Sequence, residues 1–432
     1  MKRLAFAALT GLLLSAPSAE AGRSRGCSYE AGALPVETLP AGTPHGDQIP
    51  IDHIVVLMQE NRSFDHMLGQ LHNEGQPAAV GLNGRNGNLD PGTGAVITSF
   101  HQTRVCEVAD LAHSWNSTHR QYNDGFMNGF VATNATPADP TGRRAMGYLT
   151  SADLPFYYAL YATFAMGDRY FSSVLGPTYP NRFFLLAGTS FGRISNEYPS
   201  TPDEYGPSIF ELLNDAGVTW KVYYNDIPFA AFFAGARAQP DNFVEIDQFH
   251  TDAANGTLPQ VAYVDPAFVT GGENDEHPPS NVQLGQAFVA SVIDSLMHSP
   301  NWPSSALFLE YDEHGGYYDH VVPPAACVPD ATPPRLTPTS EPGTFDRYGI
   351  RVPMVVVSPF SKPHFVSHRT HDHTSILRFI ETRFDLPALT ARDANSEPPL
   401  EFFDFENPAF LTPPVLPAAE IDPIRAAECV TP

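Results

Sequence analysis

The chain has 432 residues, enough for one large domain with a substantial core, and its 48 acidic side chains outnumber 24 basic ones for a net charge of −24. So acidic a surface repels nucleic acid and anionic membranes, which excludes a general role in binding either. Only Lys2, Lys221 and Lys362 are lysines, so arginine carries most of the positive charge.

Lys2-Arg3 precede an apolar stretch to Leu14, and Ala19-Glu20-Ala21 has the small-x-small form of a signal-peptidase site. Residues 1–21 therefore read as a Sec-type signal peptide, without the arginine pair of a twin-arginine signal, and the protein as secreted or periplasmic. The remainder holds no apolar run of spanning length, so no integral membrane association is expected. Residues 22–50 form an irregular Gly- and Pro-rich arm, residues 51–395 the catalytic domain, and residues 396–432 a Pro-rich arm packed on it. In an exported protein four cysteines imply two disulfides, with three possible pairings. Cys106–Cys327 is the preferred one, because both flank the stretches that carry the chemistry; Cys27–Cys429 would then join the termini.

Short apolar runs at Ile54–Met58, Thr219–Tyr224, Val261–Val264, Leu307–Tyr311 and Met354–Val357 read as buried strands. Helical patterns at Leu154–Ala165, Ile209–Ala216, Gln286–Met297 and Ser375–Thr382 lie between them. The alternation predicts an α/β fold with a mostly parallel central sheet flanked by helices. Residues 75–150 read as a long loop insertion with little regular structure.

The first run stops abruptly at Gln59-Glu60-Asn61, and Ser63 is placed to cap a helix beginning at Phe64. The fourth ends in Asp312-Glu313-His314-Gly315-Gly316. Alone, either would be a solvated strand end. Together they bring Glu60, Asn61, Asp312 and Glu313 to one sheet edge, where clustered carboxylates call for a cation between them. An all-oxygen set favours one divalent ion of calcium, magnesium or manganese over zinc. Farther along, Gly176-Pro-Thr-Tyr-Pro-Asn-Arg182 puts Thr178 at a helix N-terminus, which favours an anion. A hydroxyl beside a metal can lose its proton and attack phosphorus.

Five ordered motifs carry a resemblance: Gln59-Glu-Asn-Arg-Ser-Phe-Asp-His66, Gly176 to Arg182, Glu276-His-Pro-Pro279, Tyr311-Asp-Glu-His-Gly-Gly316 with Asp319-His-Val321, and Asp372-His-Thr-Ser-Ile-Leu-Arg-Phe-Ile-Glu381. Over residues 51–395 the chain resembles the bacterial phospholipase C / acid phosphatase A phosphoesterase family, whose fold is similar to alkaline phosphatases and sulfatases. The resemblance implies Glu60, Asn61, Asp312 and Glu313 as metal ligands and Thr178 as a nucleophile forming a covalent phospho-enzyme. It implies Asn61, His113 and His277 as phosphate contacts. His277 or His320 would protonate the leaving alkoxide, imidazole titrating in the useful range. Asp65 and His66 would support the site from behind. His53 would be structural. Among His364, His368, His371 and His373, Asp372 caps a helix and His373 becomes a buried hydrogen-bonding residue. Phe126, Phe130, Tyr148, Tyr157 and Tyr158 are candidates for a pocket lining.

The function implied is a phosphodiesterase of phospholipase C type acting on substrates such as phosphatidylcholine. An acid phosphatase acting on monoesters with the same residues is the alternative, and a silent binding protein on the same scaffold the reading from another class. Larger relatives carry C-terminal β-rich domains; this chain reads as the short form, without a basic amphipathic helix for docking on membranes.

Overall fold

The run Ile54–Met58 forms the middle of strand β1 (His53–Gln59), buried from Ile54 onward, at the centre of an eight-stranded sheet. The computed structural model describes residues 27–137, 139–201, 205–269 and 273–429; the expected signal peptide lies outside the described residues. In chain order the other strands are β2 (Ala165–Gly167), β3 (Trp220–Tyr224), β4 (Phe243–Glu245), β5 (Val261–Asp265), β6 (Ser305–Tyr311), β7 (Met354–Val357) and β8 (Val366–Ser367). Their spatial order is β8-β2-β7-β6-β1-β5-β3-β4, and every pairing is parallel except those that β7 makes with β6 and β2. β5, β6 and β7 are buried along their whole length, as helices on both faces of a parallel sheet require.

The helices that bear on the site are α1 (Phe64–Leu68), α2 (Trp115–Tyr122), α3 (Pro155–Thr163), α4 (Thr178–Ala187), α5 (Ile209–Ala216), α6 (Val282–Met297), α7 (His373–Phe384) and α8 (Pro423–Cys429). Ser63 caps α1, its hydroxyl accepting from the His66 N–H at 3.1 Å. α3 ends at Thr163 because Ala165 turns into β2. α6 begins four residues ahead of the apolar pattern, where Asn281 caps it. The 75–150 stretch is more regular than its composition implied, with α2, a short helix at Phe130–Asn134 and small strand pairs. Among the described residues no helix is long and apolar enough to cross a membrane.

The disulfides are Cys27–Cys327 and Cys106–Cys429, correcting the expected pairing. The reason is the path of the arms. The N-terminal arm runs beside residues 388–395, where Asn395 accepts from the Ser28 N–H and Ala388 from the Gly32 N–H. α8 lies against residues 103–106, with Arg104 donating to the Glu428 carbonyl.

Candidate active site

The register of β1 and β6 builds the site. Met58 pairs with Glu310 and Gln59 with Tyr311, so the next residues, Glu60-Asn61 and Asp312-Glu313, leave the sheet side by side. Asp312 Oδ1 accepts from the backbone N–H of Asn61 at 2.8 Å and of Glu313 at 2.6 Å. Asn61 has φ +60, a left-handed turn that asparagine tolerates. Gly315 is required opposite it, since a Cβ there would lie 2.0 Å from the Asn61 carbonyl oxygen.

Thr178 opens α4, and its hydroxyl lies 3.5 Å from Asn61 Oδ1. One turn later Arg182 reaches the same carboxylates: its Nη2 is 3.2 Å from Glu60, Nη1 3.7 Å from Asp265 and Nε 3.8 Å from Asp312. No role for Arg182 or Asp265 was read from the sequence. Both had a signal, Arg182 at i+4 from Thr178 and Asp265 at the end of another apolar run.

Buried Asp312 Oδ2 and Glu313 Oε1 have no hydrogen-bond partner. Burial, then the Glu60 carboxylate, push Asp312 up to about 6 against the pull of Arg182. Burial and Asp312 hold Glu313 well above the usual range, and burial raises Glu60 although Arg182 opposes it. Unpartnered carboxylate oxygens with raised proton affinity are the electrostatic signature of a place suited to a cation. The donor set of Glu60, Asn61, Asp312 and Glu313 therefore fits a hard divalent ion.

His113 and His277 flank this group, their rings edge to face at 5.7 Å. His113 Nδ1 donates to the Leu111 carbonyl at 2.8 Å, which leaves the Nε2 lone pair facing the Asn61 amide at 3.3 Å. Burial lowers its proton affinity. Asp110, His113 and His277 each offer a ligand atom within 4.8 Å of the others, a tighter group than the carboxylates that Arg182 interleaves. The loop bearing His277 is held by Glu276, which accepts from the hydroxyls of Tyr157 at 2.6 Å and Tyr311 at 2.8 Å. Arg62 in turn donates to the Glu276 carbonyl.

His320 belongs to a second cluster. Its Nδ1 bonds Asp65 at 2.7 Å, and Arg351 pairs with both Asp65 and Asp319. Burial disfavours its charged form, but Asp65 and Asp319 together outweigh that and raise its proton affinity. His66 stacks on Tyr317 at 3.7 Å, and His53 bonds Pro259 and Asn301. His373 is buried between the Glu310 carboxylate and the Asp312 carbonyl, 2.9 and 2.8 Å away.

Thr178 and Glu60 open onto a cavity of about 350 Å³ whose aromatic lining is Tyr179, Tyr198, Phe229, Phe232 and Phe268. None of the five aromatics expected from the sequence lines it. Phe130, Tyr157 and Tyr158 are core, Tyr148 packs against a separate cluster, and Phe126 is exposed. A second hollow of about 420 Å³ shares Phe268, Asp275 and His277 with the first and is also lined by Ile421, Ala426 and Cys429 of the C-terminal arm.

A model of the Phosphoesterase family matches residues 51–387. The chain belongs to that family. This phosphoesterase is 33% identical to Phospholipase C B of Mycobacterium tuberculosis over 462 residues, covering 93% of the chain and 87% of the relative. It is 34% identical to Non-specific phospholipase C6 of Arabidopsis thaliana, over 84% of the chain and 74% of that protein. With Non-hemolytic phospholipase C of Pseudomonas aeruginosa it shares 31% identity, over 91% of the chain and 63% of the relative. A protein in the alkaline phosphatase superfamily from Vibrio parahaemolyticus aligns over 87% of this chain and 75% of its own, with TM-score 0.42 and 11% identity. The phosphoesterase is thus a phosphoric ester hydrolase on a mostly parallel α/β sheet.

Proposed function

We propose that the chain is an exported, metal-dependent phosphodiesterase of phospholipase C type, with Thr178 as nucleophile. The observation that carries it is the pair of hollows meeting at His277 and Asp275, one of which opens onto Thr178. A monoester needs room for one substituent; two hollows beside one phosphate position suit both arms of a diester. The aromatic faces that line the first hollow also fit a cationic head group such as choline.

In this reading Glu60, Asn61, Asp312 and Glu313 hold one divalent ion. Calcium, magnesium or manganese suits their oxygens better than zinc, and when bound it lowers the proton affinity of the attacking oxygen and offsets phosphate charge. The Thr178 oxygen bonds to phosphorus as the bond to the leaving alkoxide breaks. Its proton passes to His113 Nε2, whose lone pair faces the site and is released when the Asn61 amide turns to the phosphate. The Thr178 N–H at the start of α4 and the Asn61 amide receive the phosphate oxygens, contacts that strengthen as charge spreads. His277 donates a proton to the leaving alkoxide, while His320, bound to Asp65, braces α1 against the Asp319 loop. Water then attacks the phosphothreonine and releases the phosphorylated head group. Two disulfides fit an oxidising compartment, in keeping with export.

The test is turnover of p-nitrophenylphosphorylcholine against p-nitrophenyl phosphate, with and without chelator. The diester is expected to be preferred and the activity to be lost on chelation; preference for the monoester would move the protein to the phosphatase reading with the same residues.

A further inference from the structure

The mouth of the aromatic hollow carries three exposed apolar side chains, Tyr198 at 71%, Ile227 at 45% and Val269 at 61% exposure. They are held in place by the fold. Asp226 Oδ2 accepts from the backbone N–H of Phe268 at 2.9 Å and of Val269 at 2.8 Å, while Oδ1 accepts from the Ile227 N–H. One carboxylate thereby ties the loop after β3 to the loop after β5. The Tyr198 ring meets Tyr179 and Phe232 at 6.0 and 5.7 Å, and Tyr179 meets Phe229 and Phe232 at 5.3 Å. An apolar wall thus runs without a break from the rim to Tyr179, the neighbour of Thr178.

We propose that Tyr198, Ile227 and Val269 form a docking rim that enters the surface of a zwitterionic lipid aggregate, so that a phospholipid reaches Thr178 without leaving the aggregate. The inference rests on the diesterase reading for its purpose, though the adsorption it requires does not depend on turnover. Charge selects the occupant: a chain of net charge −24 is repelled by an anionic surface, whereas a zwitterionic one presents no such barrier. Position selects it too, because the three exposed side chains line the hollow onto which Thr178 opens. Apolar groups fixed around a substrate entrance mark a surface that meets apolar matter. The sequence carries no basic amphipathic helix, and this rim supplies adsorption by another route. Because apolar contact drives it, adsorption is insensitive to salt.

The experiment uses the full chain bearing Thr178→Ala, so that lipid is not consumed, and sedimentation with sucrose-loaded phosphatidylcholine vesicles. The chain is expected to sediment equally at low and high salt and to ignore vesicles of phosphatidylglycerol. The triple change Tyr198→Ser, Ile227→Ser, Val269→Ser is expected to weaken partitioning by about tenfold or more; the single Val269→Asp, checked by its thermal unfolding, serves if the triple variant folds poorly. With Thr178 intact, the rim variant should lose hydrolysis of vesicular phosphatidylcholine by a larger factor than hydrolysis of monomeric p-nitrophenylphosphorylcholine. Absence of sedimentation, equal sedimentation of the rim variant, or equal loss on both substrates would overturn the proposal. So would light scattering in which the changes dissolve a dimer. Sedimentation through the rim with no turnover of either ester would sink the diesterase reading and leave the rim standing.

Discussion

Arg182 lies one helical turn beyond Thr178 and places its guanidinium 3.2 Å from the Glu60 carboxylate. The same helix therefore supplies the Thr178 hydroxyl and a fixed positive charge among the acids that surround it. Replacing Arg182 with Ala would strand Glu60, Asp265 and Asp312 in a buried place. Breaking such a network by removing one partner costs about 3–5 kcal/mol. Urea unfolding of Arg182→Ala should show that loss, and added manganese or calcium should restore part of it by supplying a replacement cation. Stability unchanged from wild type would mean that the carboxylates are neutral without Arg182.

Thr178 separates chemistry from folding. Its hydroxyl makes one long contact, 3.5 Å to Asn61, so Thr178→Ala should unfold with wild-type cooperativity. Turnover should fall about a thousandfold or more, as expected when a nucleophile is removed. Thr178→Ser should keep measurable activity and, on rapid acid quench of a choline diester, carry phosphorylcholine on residue 178 by mass spectrometry. Undiminished turnover of Thr178→Ala would refute the assignment.

Asp312 offers the cleanest test of the cation. One oxygen is occupied by two backbone N–H groups, and the other accepts no hydrogen bond and has only the Arg182 guanidinium at 3.8 Å. Asp312→Asn keeps the first role and removes a negative charge from the second. Divalent-ion affinity, measured by competition with a chelating dye, should drop by about tenfold or more. Equal affinity would place the ion elsewhere, with Asp110, His113 and His277 as the alternative group.

What the sequence made legible follows from the physics of each feature. The run from Ile54 to Met58 had to be a buried strand, and strands of one parallel sheet end at one edge, so Glu60 and Asp312 were bound to meet. Ser63 read correctly as a cap because capping is local. The disulfides did not, because the partners of Cys27 and Cys429 depend on how two arms travel across the surface. The hollow was missed for a related reason. Its aromatics come from a helix turn at Tyr179, a 3-10 segment at Phe229 and Phe232, and loops at Tyr198 and Phe268, with no periodicity joining them. Arg182 was within reach, standing in the same motif four residues from Thr178.

Gly315 tests the backbone that packs against Asn61. Its φ is +61, and an added Cβ would meet the Asn61 carbonyl oxygen at 2.0 Å. Gly315→Ala should therefore cost about 1–3 kcal/mol in stability. It should also weaken divalent-ion binding, because relief of the clash moves Asn61. Loss of stability with ion affinity intact would show that Asn61 is not part of the cation site.

Glu276 makes stability depend on pH in a window that can be assigned. Burial pushes its carboxyl up to about 7, against the hydrogen bonds from Tyr157 and Tyr311, whereas in an unfolded chain it titrates near 4.5. Between those values the folded state holds a proton that the unfolded state lacks, so this group's contribution falls as pH rises from about 4.5 to about 7 and is level above. The span corresponds to a loss on the order of 3 kcal/mol. Glu276→Gln keeps polar contacts to both tyrosines and cannot ionise. Subtracting its stability from that of wild type should give a difference that slopes against wild type across this window and flattens at higher pH. A difference constant from pH 5.5 to 8 would mean that Glu276 is already ionised in the folded state, with Arg62 and the two hydroxyls sufficient to hold it charged beside His277.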